Sequence, residues 1–271
     1  MNGPPDSATF DPSTVLRHLP RRAMLTDTAI MTKRNLVRLL RTPQLLFFAT
    51  VQPVMFVLLF TYVFGGSISV PGLRYIDYLI PGIFVQTVAF GGVNTAVGLS
   101  TDLGSGIIDR FRSLPMARAA VLAGRTIADG VRNLFVVLLM VVVGTLVGFR
   151  FHNGFVPALG AIALGLLFGF SLAWLFALIG MTLKETETAQ VAGLVVIFPL
   201  TFVSGAFTPI SSMPSWLRIV ARNQPFTHMV NSMRGLTQGG AVAHSVIMAL
   251  LWMLGMTVVF AALAVRRYRR G

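Results

Sequence analysis

Six long runs of this 271-residue chain contain no Asp, Glu, Lys or Arg: 42–73, 78–101, 133–149, 151–183, 188–217 and 235–265. All 22 basic and 9 acidic side chains lie between these runs or beyond them. A helix needs roughly 20 apolar residues to cross a hydrocarbon layer of about 30 Å, and each run can supply them, 133–149 only at the short limit. With 55% hydrophobic and 11% charged residues, a water-soluble fold would lack polar surface. Helices that satisfy their own backbone groups within lipid remain. The pattern therefore predicts an all-α polytopic membrane protein with six transmembrane helices, near 45–64, 78–100, 131–149, 158–182, 190–209 and 246–265. His18, His152, His228 and His244 fall outside these spans, so a proton relay buried in the bilayer is not expected.

Orientation follows from the basic residues. Of the 22, 17 lie before span one, between spans two and three, between four and five, or after six; Arg74, Arg150, Arg218, Arg222 and Arg234 lie on the other side. This asymmetry puts both termini in the cytoplasm. The net charge of +13 then reads as membrane anchoring. Nucleic acid is not an expected partner, because the charges flank apolar spans and do not alternate with stacking aromatics. The absence of cysteine excludes disulfides, iron–sulfur clusters and thiolate zinc sites. Pro4, Pro5, Pro12 and Pro20 without an apolar core predict a flexible cytoplasmic tail over 1–22, with 23–271 as one membrane domain. Arginine outnumbers lysine heavily, which suggests a GC-rich genome and a bacterial plasma membrane.

Three segments outside the spans carry patterns. From Thr26 to Thr42 a helix is expected, capped by Thr26 or Asp27 and stopped by Pro43. Leu36, Val37, Leu39 and Leu40 oppose Lys33, Arg34, Arg38 and Arg41, as in a helix lying in the headgroup layer. In the cytoplasmic loop 102–132, Ile107, Ile108, Phe111 and Leu114 share one helical face, with Asp109, Arg110 and Arg112 on the other and Pro115 ending the turn. So short a helix is unstable alone in water, and either the membrane surface or a groove on a partner protein must hold it. Beyond span five, Pro214 can open a short helix in which Trp216, Leu217 and Val220 oppose Arg218 and Arg222. Asn223 and Pro225 interrupt it, and a second helix over 226–236 would complete an outer hairpin, interfacial or re-entrant, unless the stretch is an ordinary outer loop.

Within the spans, Pro53 and Pro199 each begin a Pro-x-x-Phe-Val pattern and are expected to bend their helices. Gln52, Gln86, Asn94, Thr201 and Ser204 are the notable polar residues, read first as helix-packing glue. Gly91 with Gly92, and Gly165 with Gly169, offer surfaces for close helix approach. No catalytic residues and no metal ligands are expected. No Gly-Lys-Ser/Thr phosphate loop exists, since Lys33 follows Thr32 and Lys184 precedes Glu185. If ATP drives this protein, another polypeptide hydrolyses it.

The stretch from Asp109 to Arg118, Asp-Arg-Phe-Arg-Ser-Leu-Pro-Met-Ala-Arg, resembles the hallmark loop of type-2 ABC exporter permeases, especially the daunorubicin-resistance kind. The likeness continues in Arg34-Asn35-Leu36, Arg41-Thr42-Pro43, Tyr78-Leu79-Ile80-Pro81-Gly82, Phe198-Pro199-Leu200, Ser204-Gly205-Ala206-Phe207, Met213-Pro214-Ser215-Trp216-Leu217 and Asn223-Gln224-Pro225. It implies that 23–271 is a permease domain pairing with a second copy, each docked to a cytoplasmic ABC ATP-binding subunit that holds ATP and magnesium. No cofactor would be bound by this chain. It further implies a coupling helix at Ile107, Ile108, Asp109, Arg110, Phe111, Arg112, Leu114 and Pro115. The translocation path would involve Gln52, Pro53, Phe56, Phe198, Pro199, Thr201 and Phe202, and an outer hairpin at Pro214, Trp216, Asn223 and Pro225 would close it. A lining rich in Phe, Met and Leu favours a hydrophobic or amphiphilic cargo, with membrane lipid as the surrounding partner. A secondary transporter or channel would need an intramembrane charge, which the runs lack. A membrane-embedded hydrolase would need Ser204 and His228 to meet.

Overall fold

The computed structural model describes residues 21–41, 43–105, 118–183 and 185–270, and every regular element among them is helical. α1 (Arg21–Arg41) is followed by α2 (Pro43–Leu59), whose first position is proline, where the missing N–H costs no intrahelical bond. α2 continues into a π-helical turn, Phe60–Phe64. Then come α3 (Tyr75–Gly104), α4 (Arg118–Val147), α5 (Phe155–Thr182) and α6 (Thr186–Phe202). A 3-10 turn at Ile210–Ser212 leads to α7 (Ser215–Asn223), α8 (Pro225–Gln238) and α9 (Ala243–Arg270).

Four segments are long and apolar enough to cross a membrane: α3, Ile127–Val147 of α4, α5, and Ala243–Arg267 of α9. Thr50–Phe64 and α6 are shorter apolar helices. α3 is the central element, with Leu79, Ile80 and Ile83 fully buried, and it packs most extensively against α5 and then α6. Small residues make this approach possible. A Cβ added at Gly92 would run into the Phe176 ring of α5, and one at Gly91 would meet the Asn133 amide of α4. Gly165, by contrast, faces only the tip of Met233, 3.2 Å away.

Two expectations are corrected. α1 begins at Arg21, upstream of the proposed caps Thr26 and Asp27, and it packs along α4: Met31 is 4% exposed, and a Cβ at Gly124 would lie 2.5 Å from its own Cβ. α6 stops at Phe202 instead of reaching 209. Past it the chain turns through Gly205 at φ 70°, a conformation glycine adopts without steric cost. Groups on α3 and α8 then take up the carbonyls of 205–207, which lipid could not satisfy.

Both helices expected after span five exist as α7 and α8, and Trp216, Ile219 and Val220 of α7 turn outward, at 68, 67 and 55% exposure, while Ala221 is buried. Arg218 sets this rotation by donating from Nη2 to the carbonyls of Ser211 and Met213, both at 2.9 Å. α8 lies against α3, α5 and α9, with Phe226, Met229 and Val230 buried.

Candidate functional site

α2, α3, α4 and α6 surround a cavity of about 380 Å³. Phe56, Phe90 and Phe198 supply its aromatic lining; Gln52, Gln86, Thr87, Asn94, Arg132 and Gln190 supply polar groups. Phe90 and Phe198 meet edge to face at 5.5 Å between centroids. From there a chain of rings leads away, Phe198 to Phe202 at 5.9 Å, Phe202 to Phe207 at 5.0 Å and Phe207 to Phe60 at 4.5 Å. A second, almost wholly apolar hollow of about 330 Å³ lies along α2 at Val51, Met55, Leu59 and Phe60, sharing Gln52 and Phe56 with the first.

The polar lining has a charged base. Arg132 donates to the Gly91 carbonyl at 2.7 Å, and its Nη1 lies 3.6 Å from Asp129 Oδ1. The hydroxyl of Thr95 donates to Asp129 Oδ2 at 2.8 Å. The two charged side chains are only 11 and 16% exposed. A buried pair of this kind is tolerable because each charge neutralises the other and hydrogen bonds take up remaining valences. Both residues belong to Ile127–Val147, so the apolar part of α4 begins before the span expected near 131–149. A run counted from Asn133 stops short of them, but their i,i+3 spacing is the signal of a self-neutralising helical pair.

Of the residues singled out from sequence, Gln52, Pro53, Phe56 and Phe198 line the cavity together. Gln86 and Asn94, read as packing glue, line it too. Pro199 lies within α6, and Phe202 belongs to the ring chain. Thr201 is 1% exposed, and its Oγ1 has no hydrogen-bond partner among the described residues. Pro214 precedes α7, Asn223 Nδ2 donates to the Ile219 carbonyl at 2.8 Å, and Pro225 starts α8. Ile107, Ile108, Asp109, Arg110, Phe111, Arg112, Leu114 and Pro115 lie outside the described residues. Thr87, Phe90, Arg132 and Gln190 are cavity residues that sequence reasoning passed over.

A hydrolytic pair is not assembled. The Ser204 hydroxyl donates to the Thr201 carbonyl at 2.6 Å and accepts from the Ala206 amide at 3.3 Å. His228 instead faces His244, with ring centroids 6.4 Å apart. Burial, followed by the neighbouring His244, pushes the His228 imidazole below its ordinary value of 6.5. A depressed histidine contributes stability above its unfolded pKa and loses it as pH falls through the folded one. Acidification from pH 7 to 5 should therefore loosen the α8–α9 contact, and His228→Gln should flatten that dependence in a thermal-shift titration. An unaltered pH profile in the variant would contradict this.

Four segments long and apolar enough to cross a membrane, two of them at the cavity, fit a multi-pass membrane protein. Comparison with known families then narrows the class: the ABC-2 type transporter family model matches residues 26–237, and the chain belongs to that family. The daunorubicin resistance ABC transporter permease protein DrrB1 of Streptomyces coeruleorubidus is 36% identical over 218 residues, covering 80% of this chain and 77% of that protein. The probable doxorubicin resistance ABC transporter permease protein DrrC of Mycobacterium tuberculosis is 29% identical over 253 residues, covering 92% of this chain and 90% of its own. The inner membrane transport permease YadH of Escherichia coli is 25% identical over 191 residues, 68% of this chain and 73% of that protein.

Proposed function

We propose that this chain is the membrane-spanning permease subunit of an ATP-driven exporter that moves hydrophobic or amphiphilic compounds out of a bacterial cytoplasm. The observation that carries the reading is the family match over 26–237, reinforced by relatives named as drug-resistance permeases. A cavity lined by both aromatic and polar side chains suits such cargo. α2 with its π-helical turn runs from Pro43 to Phe64, a rise of roughly 30 Å, so α2 and α6 join the four longer helices as spans one and five. Both termini then face the cytoplasm, and α7–α8 form a re-entrant hairpin at the outer surface.

In this reading the coupling residues from Ile107 to Pro115 dock a separate ATP-binding subunit that holds ATP and magnesium. Two permeases pair, each with one ATPase. ATP binding closes the ATPase pair, and the docked segments pass that movement through α4 to the cavity. Phe111→Asp should abolish co-purification with the ATPase while leaving membrane insertion intact; undiminished association would contradict the docking assignment. The function itself is tested in inverted vesicles carrying the chain and its ATPase. ATP-dependent accumulation of a fluorescent lipophilic dye is the expected result. Equal accumulation by the chain alone, driven only by an ion gradient, would overturn the proposal.

A further inference from the structure

The junction of α7 and α8 lies deep beside α5. In the first turn of α8 the Phe226 ring meets the Phe168 ring edge to face at 5.2 Å, and the Thr227 hydroxyl donates to the Ala221 carbonyl near the end of α7. From there α8 climbs back along α5. An added Cβ at Gly165 would meet the tip of Met233, one at Gly160 would touch Leu236, and the Thr237 carbonyl accepts from the His152 amide just ahead of α5. Phe168 stands halfway along α5 (Phe155–Thr182), roughly 20 Å from its first residue at 1.5 Å per residue. Phe155 and Val156 already expose apolar side chains, at 76 and 77%, so α5 enters hydrocarbon in its first turn. With a hydrocarbon layer of about 30 Å, the α7–α8 junction then sits near the bilayer midplane.

Arg222 is out of place at that depth. It is exposed, with Asn223 beside it, in the last turn of α7. No Asp or Glu follows Glu187 in the chain, so α7, α8 and α9 offer no counter-ion. Asp77, at the start of α3, is 2% exposed and held by Arg74 at 2.7 Å. Lipid is a costly neighbour for a cation here, and the way out is longer than an arginine side chain can snorkel. A second copy is a poor cover as well, because the matching face would bring another Arg222 and no carboxylate. Water is the neighbour that suits this charge.

We propose that the exposed face of α7 around Ile219, Arg222 and Asn223 lines a water-filled recess reaching the middle of the bilayer, and that Arg222 makes this recess attract anionic groups. The proposal deepens the exporter reading and rests on its outer placement of the hairpin. In that reading the hairpin closes the path from outside; the recess keeps its inner tip wet, and an anionic group is the class of ligand drawn there.

The chain has no cysteine, so a single introduced thiol reports its own surroundings. The test uses the full-length chain in phosphatidylcholine nanodiscs, without its ATPase, and two methanethiosulfonate reagents, one carrying a sulfonate and one a trimethylammonium group. Asn223→Cys should react with both. Leu167→Cys, 44% exposed on α5 at the same depth, should react with neither. Relative to their rates on a free thiol, the sulfonate reagent should be favoured roughly tenfold over the cationic one at Asn223→Cys, the Coulomb difference for a unit charge about 6 Å away in water. Adding Arg222→Gln should erase that preference. Should Asn223→Cys fail to fold, Ile219→Cys, one turn earlier on the same face, reads the same ratio. A thiol at 223 silent toward both reagents, one no faster than that at 167, or a ratio unmoved by Arg222→Gln would each overturn the proposal. Because no transport is measured, a chain that shows this pattern yet fails in ATP-driven vesicles would sink the exporter reading and leave the recess standing.

Discussion

Arg234→Met is expected to lower the stability of the detergent-solubilised protein by roughly 3–5 kcal/mol, a loss readable as a clear fall in the thermal midpoint. Arg234 projects from α8 into a nest of carbonyls. Its Nε donates to Tyr78 at 2.9 Å, and its Nη2 donates to Gly205 at 2.8 Å and Ala206 at 3.1 Å. The guanidinium also stacks over the Tyr78 ring, 3.4 Å from the centroid. Tyr78 in turn donates to the Gly205 carbonyl at 2.6 Å, so Arg234 joins α3, the turn after α6 and α8.

Burial pushes the guanidinium down to about 10, which still leaves it protonated at neutral pH. Charged donors contribute about 1.5–3 kcal/mol per hydrogen bond. Methionine fills a similar volume but donates to none of the three carbonyls, of which Gly205 alone keeps the Tyr78 hydroxyl. Arg234→Lys keeps the charge but not the planar fork, and should fall between the two. A midpoint unchanged in the methionine variant would show that the turn at 203–209 holds itself.

Gly180→Val should be more damaging still and leave little monodisperse protein on size exclusion. Gly180 lies where α5 meets α3, the most extensive helix pair, and an added Cβ would collide with the Ala96 carbonyl oxygen and stand 3.0 Å from the Ala96 Cα. Backbone cannot yield as a side-chain tip can. The helices would have to part along their length, and within lipid that contact is held mainly by close van der Waals packing. Overpacking costs about 1–3 kcal/mol where side chains can adjust, and more where they cannot. Gly180→Ala tests the sign. Alanine gains about 1 kcal/mol in helix propensity, so a net loss would mean that the clash outweighs it. A valine variant with wild-type yield and midpoint would refute the close approach.

Much of the helical layout was readable because charge is excluded from lipid so strongly that its absence marks the spans. The ends of α3 and α5 were expected near 78–100 and 158–182 and fall at Tyr75–Gly104 and Phe155–Thr182. Pro43 and Pro225, read as breaks in the helices before them, prove to be the first residues of α2 and α8, for an equally local reason: proline fits a first helical turn. Gln52, Phe56 and Phe198 are named as lining residues only through the resemblance to type-2 ABC exporter permeases, which puts their helices beside the path. Whether Gln86 and Asn94 bond to a neighbouring helix or face open space depends on how α2, α4 and α6 stand around α3. Composition has no access to that distance.

Charge spacing and apolar run length, both local properties, determined that this chain is helical and lives in a membrane. Tertiary structure alone decided that the Asp129–Arg132 pair lies at a cavity and meets the Gly91 carbonyl of α3, because a charge inside an apolar helix is tolerable only where a partner and a carbonyl lie within reach. It also decided that α6 ends at Phe202, since the turn beyond persists only while Tyr75, Tyr78 and Arg234, far away in sequence, take up its carbonyls.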